Sequence, residues 1–304
     1  MQGKQFNLVV ILGPTASGKT RLAVRLAKDM GSEIISADSR QVYRGMDIGT
    51  GKDLKEYVVN GVAVPYHLIN VVDPDYEFNV FEFQQIFFRC FSEISSRGVV
   101  PVMVGGTGLY IESVLMGYRM MEVPENHVLR KELEKEDMQA LAGRLLRVDP
   151  TVHNTTDLLD RKRLIRAIEI REFIELHERE KDNSIPVVAP LVIGVRWDRS
   201  ILRQRITNRL TERLHAGLIE EVKKLNKSGI AWDKLDFFGL EYRYVGLYLQ
   251  SKISYDEMFK KLNTRIHQFA KKQETWFRRM EKHGIQIHWI NGDDYDAIRT
   301  LLNV

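Results

Sequence analysis

The stretch that decides the fold is Gly13-Pro14-Thr15-Ala16-Ser17-Gly18-Lys19-Thr20, which has the spacing of a phosphate-binding loop. Before it, the apolar run at residues 6–12 predicts a buried strand. After it, apolar residues recur with helical spacing at Leu22, Ala23, Leu26 and Ala27. A loop between a strand and a helix is the context in which this motif binds a di- or triphosphate.

The chemistry of such a loop assigns roles to its residues. Backbone N–H groups surround phosphate oxygens, and the N-terminus of the following helix adds positive potential. Lys19 supplies a mobile cation, and the Thr20 hydroxyl is a candidate ligand for Mg²⁺. We therefore predict a diphosphate site formed by Gly13, Pro14, Thr15, Ala16, Ser17, Gly18, Lys19 and Thr20. The motif does not by itself specify ATP.

Further short apolar runs predict the rest of a sheet. Residues 33–37, 99–104, 190–197 and 285–290 have the pattern of buried strands, and long helical patterns cover 201–225 and 255–283. Strands that alternate with helices predict an α/β fold: a parallel P-loop sheet with helices on both faces. Ligands in such folds bind beyond the carboxyl ends of the strands.

One segment has a different character. Residues 118–189 are charged and helical in pattern, with no convincing strand. We therefore predict a small all-helical insertion domain at 118–189, between the two parts of a P-loop catalytic domain at 1–117 and 190–304.

Composition narrows the class of protein. The 304 residues are 44% hydrophobic and 28% charged, which excludes the disordered and fibrous classes. A single cysteine, Cys90, excludes an internal disulfide framework. No stretch approaches the roughly 20 apolar residues of a membrane span, and the N-terminal apolar run is too short for a signal peptide. We expect a cytoplasmic protein, a monomer, with no membrane partner. The net charge of +4 fits a polyanionic partner without deciding for one.

Two candidate groups follow the second and third predicted strands. Sheet topology places Asp38 beside the phosphate loop, where a carboxylate can bind Mg²⁺ or accept a proton from a nucleophile; the alternative is a helix cap. Arg40 and Arg44 are expected to keep Asp38 ionised. Thr107, in a glycine turn after the third strand, offers a hydroxyl to phosphate or substrate, or else caps a helix. That turn has no aspartate where many NTPases carry a metal ligand, which weakens a kinase interpretation.

Three arginines recur at every fourth position of a predicted helix. They are Arg205, Arg209 and Arg213, and they lie at the margin of its apolar face. Arg205 and Arg209 are candidates for contacting the diphosphate. We assign Arg213 to a solvated basic face.

These motifs resemble those of the tRNA dimethylallyltransferases, also called tRNA isopentenyltransferases. Residues 13–20, 38–50 and 104–110 are similar to three family signatures in their usual order, and fainter similarity covers nearly the whole chain. The chain departs from the family at three places. Gly51 precedes Lys52 where the family usually has alanine; Gly239-Leu240-Glu241-Tyr242 replaces glycine, tyrosine and a basic residue; and Ile266 with His267 replaces threonine and arginine.

The resemblance implies a reaction and its participants. The N6 amine of adenosine 37 in the tRNA anticodon loop displaces pyrophosphate from C1 of dimethylallyl diphosphate, with Mg²⁺ as cofactor. It implies catalytic roles for Asp38 as general base, and for Thr107, Arg205 and Arg209. Contacts to the tRNA anticodon stem-loop are expected from Asp38, Ser39, Arg40 and Gln41, and from Lys162, Arg163, Leu164, Ile165 and Arg166 of the insertion.

Two other functions use the same residues. A P-loop kinase for a small metabolite would use Lys19 and Thr20 equally well, with Asp38 as base for a hydroxyl. An RNA-binding NTPase switch would bind RNA with an affinity that depends on the bound nucleotide, and it would not alkylate the RNA.

Overall fold

A six-stranded parallel sheet forms the centre of the larger of two units. The structure is a computed structural model, and it describes residues 6–148, 160–177 and 185–302. The chain divides into one unit of Met1–Tyr118 with Pro186–Val304 and a second of Arg119–Ile185. Residues 149–159 and 178–184 of the predicted insertion lie outside the described residues.

The strands of the larger unit form two sheets. They are β1 (Leu8–Leu12), β2 (Ile34–Ala37), β3 (Val58–Val59), β4 (Val62–Ala63), β5 (Tyr66–His67), β6 (Val102–Gly105), β7 (Pro190–Arg196) and β8 (His288–Asn291). Strands β3 and β4 pair as a small antiparallel hairpin. The main sheet has the order β5-β2-β6-β1-β7-β8, and all its pairings are parallel.

The helices of the larger unit flank this sheet. They are α1 (Lys19–Asp29), α2 (Val80–Ser96), α3 (Gly108–Leu115), α7 (Arg199–His215), α8 (Leu218–Lys227), α9 (Trp232–Phe237), α10 (Leu240–Leu249), α11 (Tyr255–Lys282) and α12 (Tyr295–Leu302); α4 (His127–Leu133), α5 (Met138–Val148) and α6 (Arg161–His177) belong to the smaller unit. Among the described residues, no helix combines the length and the apolar content needed to cross a membrane.

The central strand explains the predicted fold. All five residues of β1 are buried, since β6 and β7 flank it and both its faces are covered. Val9 and Ile11 pack with residues of α1 and α12 in one core cluster. Leu8, Val10 and Leu12 alternate with them and are fully buried on the opposite face. The predicted α/β architecture with helices on both faces is confirmed.

One predicted helix is interrupted. The pattern at 201–225 comprises two helices, α7 and α8, and the break falls at Gly217, whose φ is 103°. Glycine adopts this left-handed conformation without the steric cost that a Cβ imposes. Apolar periodicity continues across the break, which is why the pattern alone suggested one helix.

The smaller unit has its own core. Leu133 of α4, Leu141 and Leu145 of α5, and residues of α6 form one buried apolar cluster. The Glu169 carboxylate of α6 is buried and lies 2.8 Å from the Arg130 guanidinium. Although burial opposes ionisation, hydrogen bonds from Arg130 and Arg166 hold the pKa of Glu169 below its ordinary value.

Candidate active site

The phosphate loop lies between β1 and α1, at the carboxyl end of the central strand. Gly13 has no room for a side chain, because a Cβ there would lie 2.8 Å from the Ser17 hydroxyl and 2.9 Å from the Val195 carbonyl oxygen. Gly18, at the start of α1, has φ 87°. The Ser17 hydroxyl is buried and has no hydrogen-bond partner among the described residues. A buried hydroxyl without a partner is free to bond a polar ligand in the loop.

Lys19 points its ammonium across the loop. Its Nζ donates to the Pro14 carbonyl oxygen at 3.3 Å. Burial and the charge of Arg209 lower the pKa of Lys19 to about 8, while Asp38 opposes this shift. Positive charge at the loop therefore exceeds what the nearby carboxylates neutralise, which is the electrostatic condition for binding an anion.

Trp197 and Arg205 hold the outer side of the loop. The Trp197 indole N–H donates to the Ser17 carbonyl oxygen at 2.8 Å, and Arg205 Nε donates to the Ala16 carbonyl oxygen at 2.9 Å. The Arg205 guanidinium also lies over the Trp197 ring, 4.4 Å from its centroid. The structure thus places Arg205 at the phosphate loop. The role of Trp197 was missed, because the sequence marks it only as the end of a strand.

Asp38 directly follows β2 and shapes its own turn. Its Oδ1 accepts the Arg40 backbone N–H at 2.9 Å. No helix starts there, so the helix-cap alternative is wrong. Arg40 lies close enough for its charge to act on Asp38, and its guanidinium lies over the Phe237 ring at 4.7 Å. Arg44 forms its ion pair with Asp73 at 3.2 Å.

Thr107 forms a hydrogen bond with Ser39, the residue after Asp38. Because Ala37 of β2 pairs with Gly105 of β6, the residues after the two strands emerge side by side. Thr107 Oγ1 accepts the Ser39 backbone N–H at 3.1 Å and lies 3.4 Å from the Ser39 hydroxyl. Thr107 stands at the N-cap position of α3, as the cap alternative predicts, but its hydroxyl makes no capping bond to that helix. Lys19, Asp38 and Thr107 meet at one edge of the sheet.

The long segment after β2 is fixed by two charged side chains. Lys52 is fully buried, and its ammonium donates to the Tyr43 carbonyl oxygen and to Asp47, each at 2.6 Å. The Glu221 carboxylate accepts the backbone N–H groups of residues 47–49 and the Tyr242 hydroxyl. These contacts anchor the segment that carries the family signature.

Gln41, a predicted RNA contact in this segment, lies largely inside the protein. Gln41 is only 8% exposed, and both ends of its amide are used internally. Its Nε2 donates to the Gly51 carbonyl oxygen at 3.0 Å, and its Oε1 accepts the Ser36 hydroxyl at 3.1 Å. The Gln41 amide is therefore occupied within the protein, and its contact with tRNA stays a prediction, whereas Ser39 and Arg40 are half-exposed.

Gln273 of α11 is a residue that the sequence did not assign. Its Oε1 accepts the Thr15 backbone N–H at 2.8 Å, and its Nε2 donates to the Gly106 carbonyl oxygen at 2.9 Å. One amide thereby joins the phosphate loop to the turn that carries Thr107. The only signal was its position at the end of a stretch of fainter family similarity.

The arginines of α7 do not share one environment. Arg209 pairs with Asp53, with 3.0 Å between Nη2 and Oδ2. Arg213 is only 12% exposed and lies 3.6 Å from Glu241. Burial and the charge of Arg209 lower the pKa of Arg213 to about 10. Its assignment to a solvated face is therefore wrong, because the margin of the helix is covered by α10 and the phosphate loop.

In the smaller unit, the candidate tRNA-binding stretch divides by burial. Lys162 and Arg163 are exposed. The side chains of Leu164 and Ile165 are buried in the core of that unit, and their contacts with tRNA stay predictions. Arg166 forms an ion pair with the buried Glu169 and donates to the Val123 carbonyl oxygen at 2.8 Å.

Comparisons with known proteins place the chain in a family. Residues 41–280 match the model described as IPP transferase, and residues 6–63 match isopentenyl transferase. The chain is 64% identical to tRNA dimethylallyltransferase 1 of Syntrophus aciditrophicus over 97% of each chain, and 58% identical to tRNA dimethylallyltransferase 1 of Geotalea uraniireducens over 94% of this chain and 93% of that one.

Solved structures agree with this placement. The full-length tRNA isopentenylpyrophosphate transferase of Bacillus halodurans is 33% identical, with a TM-score of 0.69, over 98% of this chain and 97% of that one. A eukaryotic dimethylallyltransferase acting on tRNA, 23% identical, has the same fold with a TM-score of 0.77 over 96% of this chain and 75% of that one. The chain belongs to the IPP transferase family of tRNA dimethylallyltransferases.

Proposed function

We propose that this protein transfers the dimethylallyl group of dimethylallyl diphosphate to N6 of adenosine 37 in tRNA and releases pyrophosphate. The observation that carries the proposal is the meeting of Asp38 and Thr107 with Lys19 at one edge of the sheet. A general base and a leaving-group site are then adjacent. The names of the relatives support the same reaction.

The acceptor needs a base because the lone pair of an adenine N6 amine is delocalised into the ring. The N6 nitrogen forms a bond to C1 of the donor, the bond from C1 to the bridging oxygen breaks, and both electrons of that bond leave with pyrophosphate. The N6 proton passes to the Asp38 carboxylate. Arg40 lies close enough for its positive charge to interact with the Asp38 carboxylate.

The phosphate loop stabilises the leaving group. Negative charge grows on pyrophosphate as it departs, and loop N–H groups, Lys19, Arg205 and Arg209 oppose that charge. Mg²⁺ usually keeps several waters and binds through substrate phosphates with few protein ligands, and the Thr20 hydroxyl at the start of α1 would be such a ligand. When bound, the ion supplies further charge neutralisation to the leaving group.

The acceptor is a base inside a folded anticodon loop. Adenosine 37 must leave its stack before N6 reaches Asp38. Ser39 and Arg40, half-exposed beside Asp38, are the residues positioned to contact the displaced nucleotide. Lys162 and Arg163, exposed on α6, are assigned to the RNA backbone. Since tRNA is the substrate, the site of action is the cytoplasm.

A single reaction mixture tests the proposal. Protein, Mg²⁺, dimethylallyl diphosphate and unmodified tRNA are combined, and tRNA fragments are examined by mass spectrometry for an added five-carbon unit at adenosine 37. The matched control is Asp38→Asn. Phosphate release from ATP without RNA would indicate a kinase. Nucleotide-dependent RNA affinity with unchanged RNA mass would indicate a switch.

A further inference from the structure

Arg213 is a buried cation whose hydrogen-bonding capacity is largely unused. Nε and Nη2 are both buried and have no hydrogen-bond partner among the described residues. The nearest carboxylates lie at 3.6 Å (Glu241) and 4.0 Å (Asp53), which is beyond hydrogen-bond distance. Buried charged donors left without partners are unfavourable, so a native structure that keeps them calls for an explanation.

The surroundings of Arg213 indicate an anion as the missing partner. Arg213 and Arg209 line a small cavity together with Thr15 and Ala16 of the phosphate loop and with Glu241. The positive charges of both arginines act on Lys19, which places the cavity within electrostatic reach of the phosphate site. An anion in the loop that extends toward this cavity would contact both guanidinium groups.

Two departures from the family pattern meet at this side chain. A Cβ added to Gly51 would collide with Nη2 of both Arg213 and Arg209, so the usual alanine does not fit beside them. Glu241, where the family usually has a basic residue, lies 3.6 Å from Arg213 as its partly buried countercharge. Gly51 leaves space for the arginine side chain, and Glu241 lies beside it as a counter-ion.

We propose that Arg213 is an additional diphosphate-binding residue of this protein, which donates from Nε and Nη2 to phosphate oxygens alongside Arg209. In this chain Arg213 of α7 supplies the positive charge, and Glu241 is its counter-ion. The identity of the anion as the diphosphate of the prenyl donor rests on the proposed function. The existence of a diphosphate site at Arg213 is independent of that function.

Calorimetric titration with inorganic pyrophosphate and Mg²⁺ tests the inference. Arg213→Gln should weaken binding by about 10- to 100-fold, the usual effect of losing charge-assisted hydrogen bonds to a buried anion. Glu241→Gln should tighten binding several-fold, because the carboxylate no longer competes for the arginine. Arg203→Gln, exposed on the same helix, is the matched control and should bind as wild type.

The opposite directions of the two variants separate a ligand-binding role from a structural one. A purely structural ion pair predicts lower melting temperatures for both variants and no tighter binding for Glu241→Gln. If Arg213→Gln does not fold, the double variant Arg213→Gln/Glu241→Gln removes the charge without leaving an unpaired carboxylate. Wild-type affinity in that double variant, or unchanged affinity in Glu241→Gln, overturns the inference. Wild-type protein that binds pyrophosphate but transfers no prenyl group would overturn the proposed function alone.

Discussion

The side-chain amide of Gln273 accepts the backbone N–H of Thr15 at 2.8 Å, and so ties the long helix α11 to the phosphate loop. The other end of the same amide holds the Gly106 carbonyl oxygen. The leaving-group loop and the turn that carries Thr107 are therefore set relative to each other by one residue.

Gln273→Glu is expected to weaken binding of dimethylallyl diphosphate by about tenfold or more. The carboxylate keeps an acceptor for Thr15 but faces the Gly106 carbonyl oxygen without a donor, and it brings negative charge to an anion site. Calorimetric titration and thermal melting are the measurements. Gln268→Glu, exposed on the same helix, is the control. Wild-type affinity in Gln273→Glu would show that the bridge does not position the loop.

Asp38→Asn should retain the fold and donor binding while the chemical step slows by roughly 10² to 10⁴, the usual contribution of a positioned acid or base. An asparagine oxygen can still accept the Arg40 N–H, so the turn should persist. Single-turnover prenylation of tRNA gives the rate. Asp75→Asn, at an exposed position, should react as wild type. A rate for Asp38→Asn within a few-fold of wild type removes Asp38 as the base.

Donor binding should depend on pH through Lys19. Burial and Arg209 lower its pKa to about 8 in the free protein, and a bound diphosphate favours the charged form, so binding raises that pKa. Affinity should accordingly be level below about pH 7 and fall as the pH rises through about 8, by at most tenfold per pH unit.

The matched variant for this pH dependence is Lys19→Met, which should bind more weakly and lose the decline above neutral pH. Titrations of both proteins with the same donor cancel the ionisation of the ligand itself. Parallel pH profiles for the two proteins would assign the dependence to another group.

Lys162→Ala combined with Arg163→Ala should weaken tRNA binding and leave donor affinity unchanged. Each lost phosphate contact should flatten the slope of log affinity against log salt by about 0.7 to 0.9. Arg166 is kept, because its removal would leave the buried Glu169 with one partner fewer. Filter binding at several salt concentrations is the measurement. Lys223→Ala with Lys224→Ala, an exposed pair on α8, is the control. An unchanged salt slope would mean that the α6 charges only interact with solvent.

Local pattern determined much about this protein. The phosphate-loop spacing between an apolar run and a helical repeat is a property of neighbouring residues, so it predicted β1, the loop and α1 together. The rule that parallel strands present their carboxyl ends at one edge predicted that Asp38 and Thr107 would lie together. The family resemblance followed from the same local strings.

Tertiary structure decided the contacts of side chains that lie at the edge of the apolar face of a helix or in a loop. Three arginines at every fourth position form the same pattern whether their side chains meet water or another helix. Only packing against α10 and the loop buries Arg213. Likewise, the sequence does not show that the Gln41 amide is bonded inside the protein, where it donates to the Gly51 carbonyl oxygen. The bridge from Gln273 to Thr15 joins residues 258 positions apart. Periodicity records which face of an element is apolar, whereas a contact between distant segments exists only when the whole core has assembled, and no local pattern encodes it.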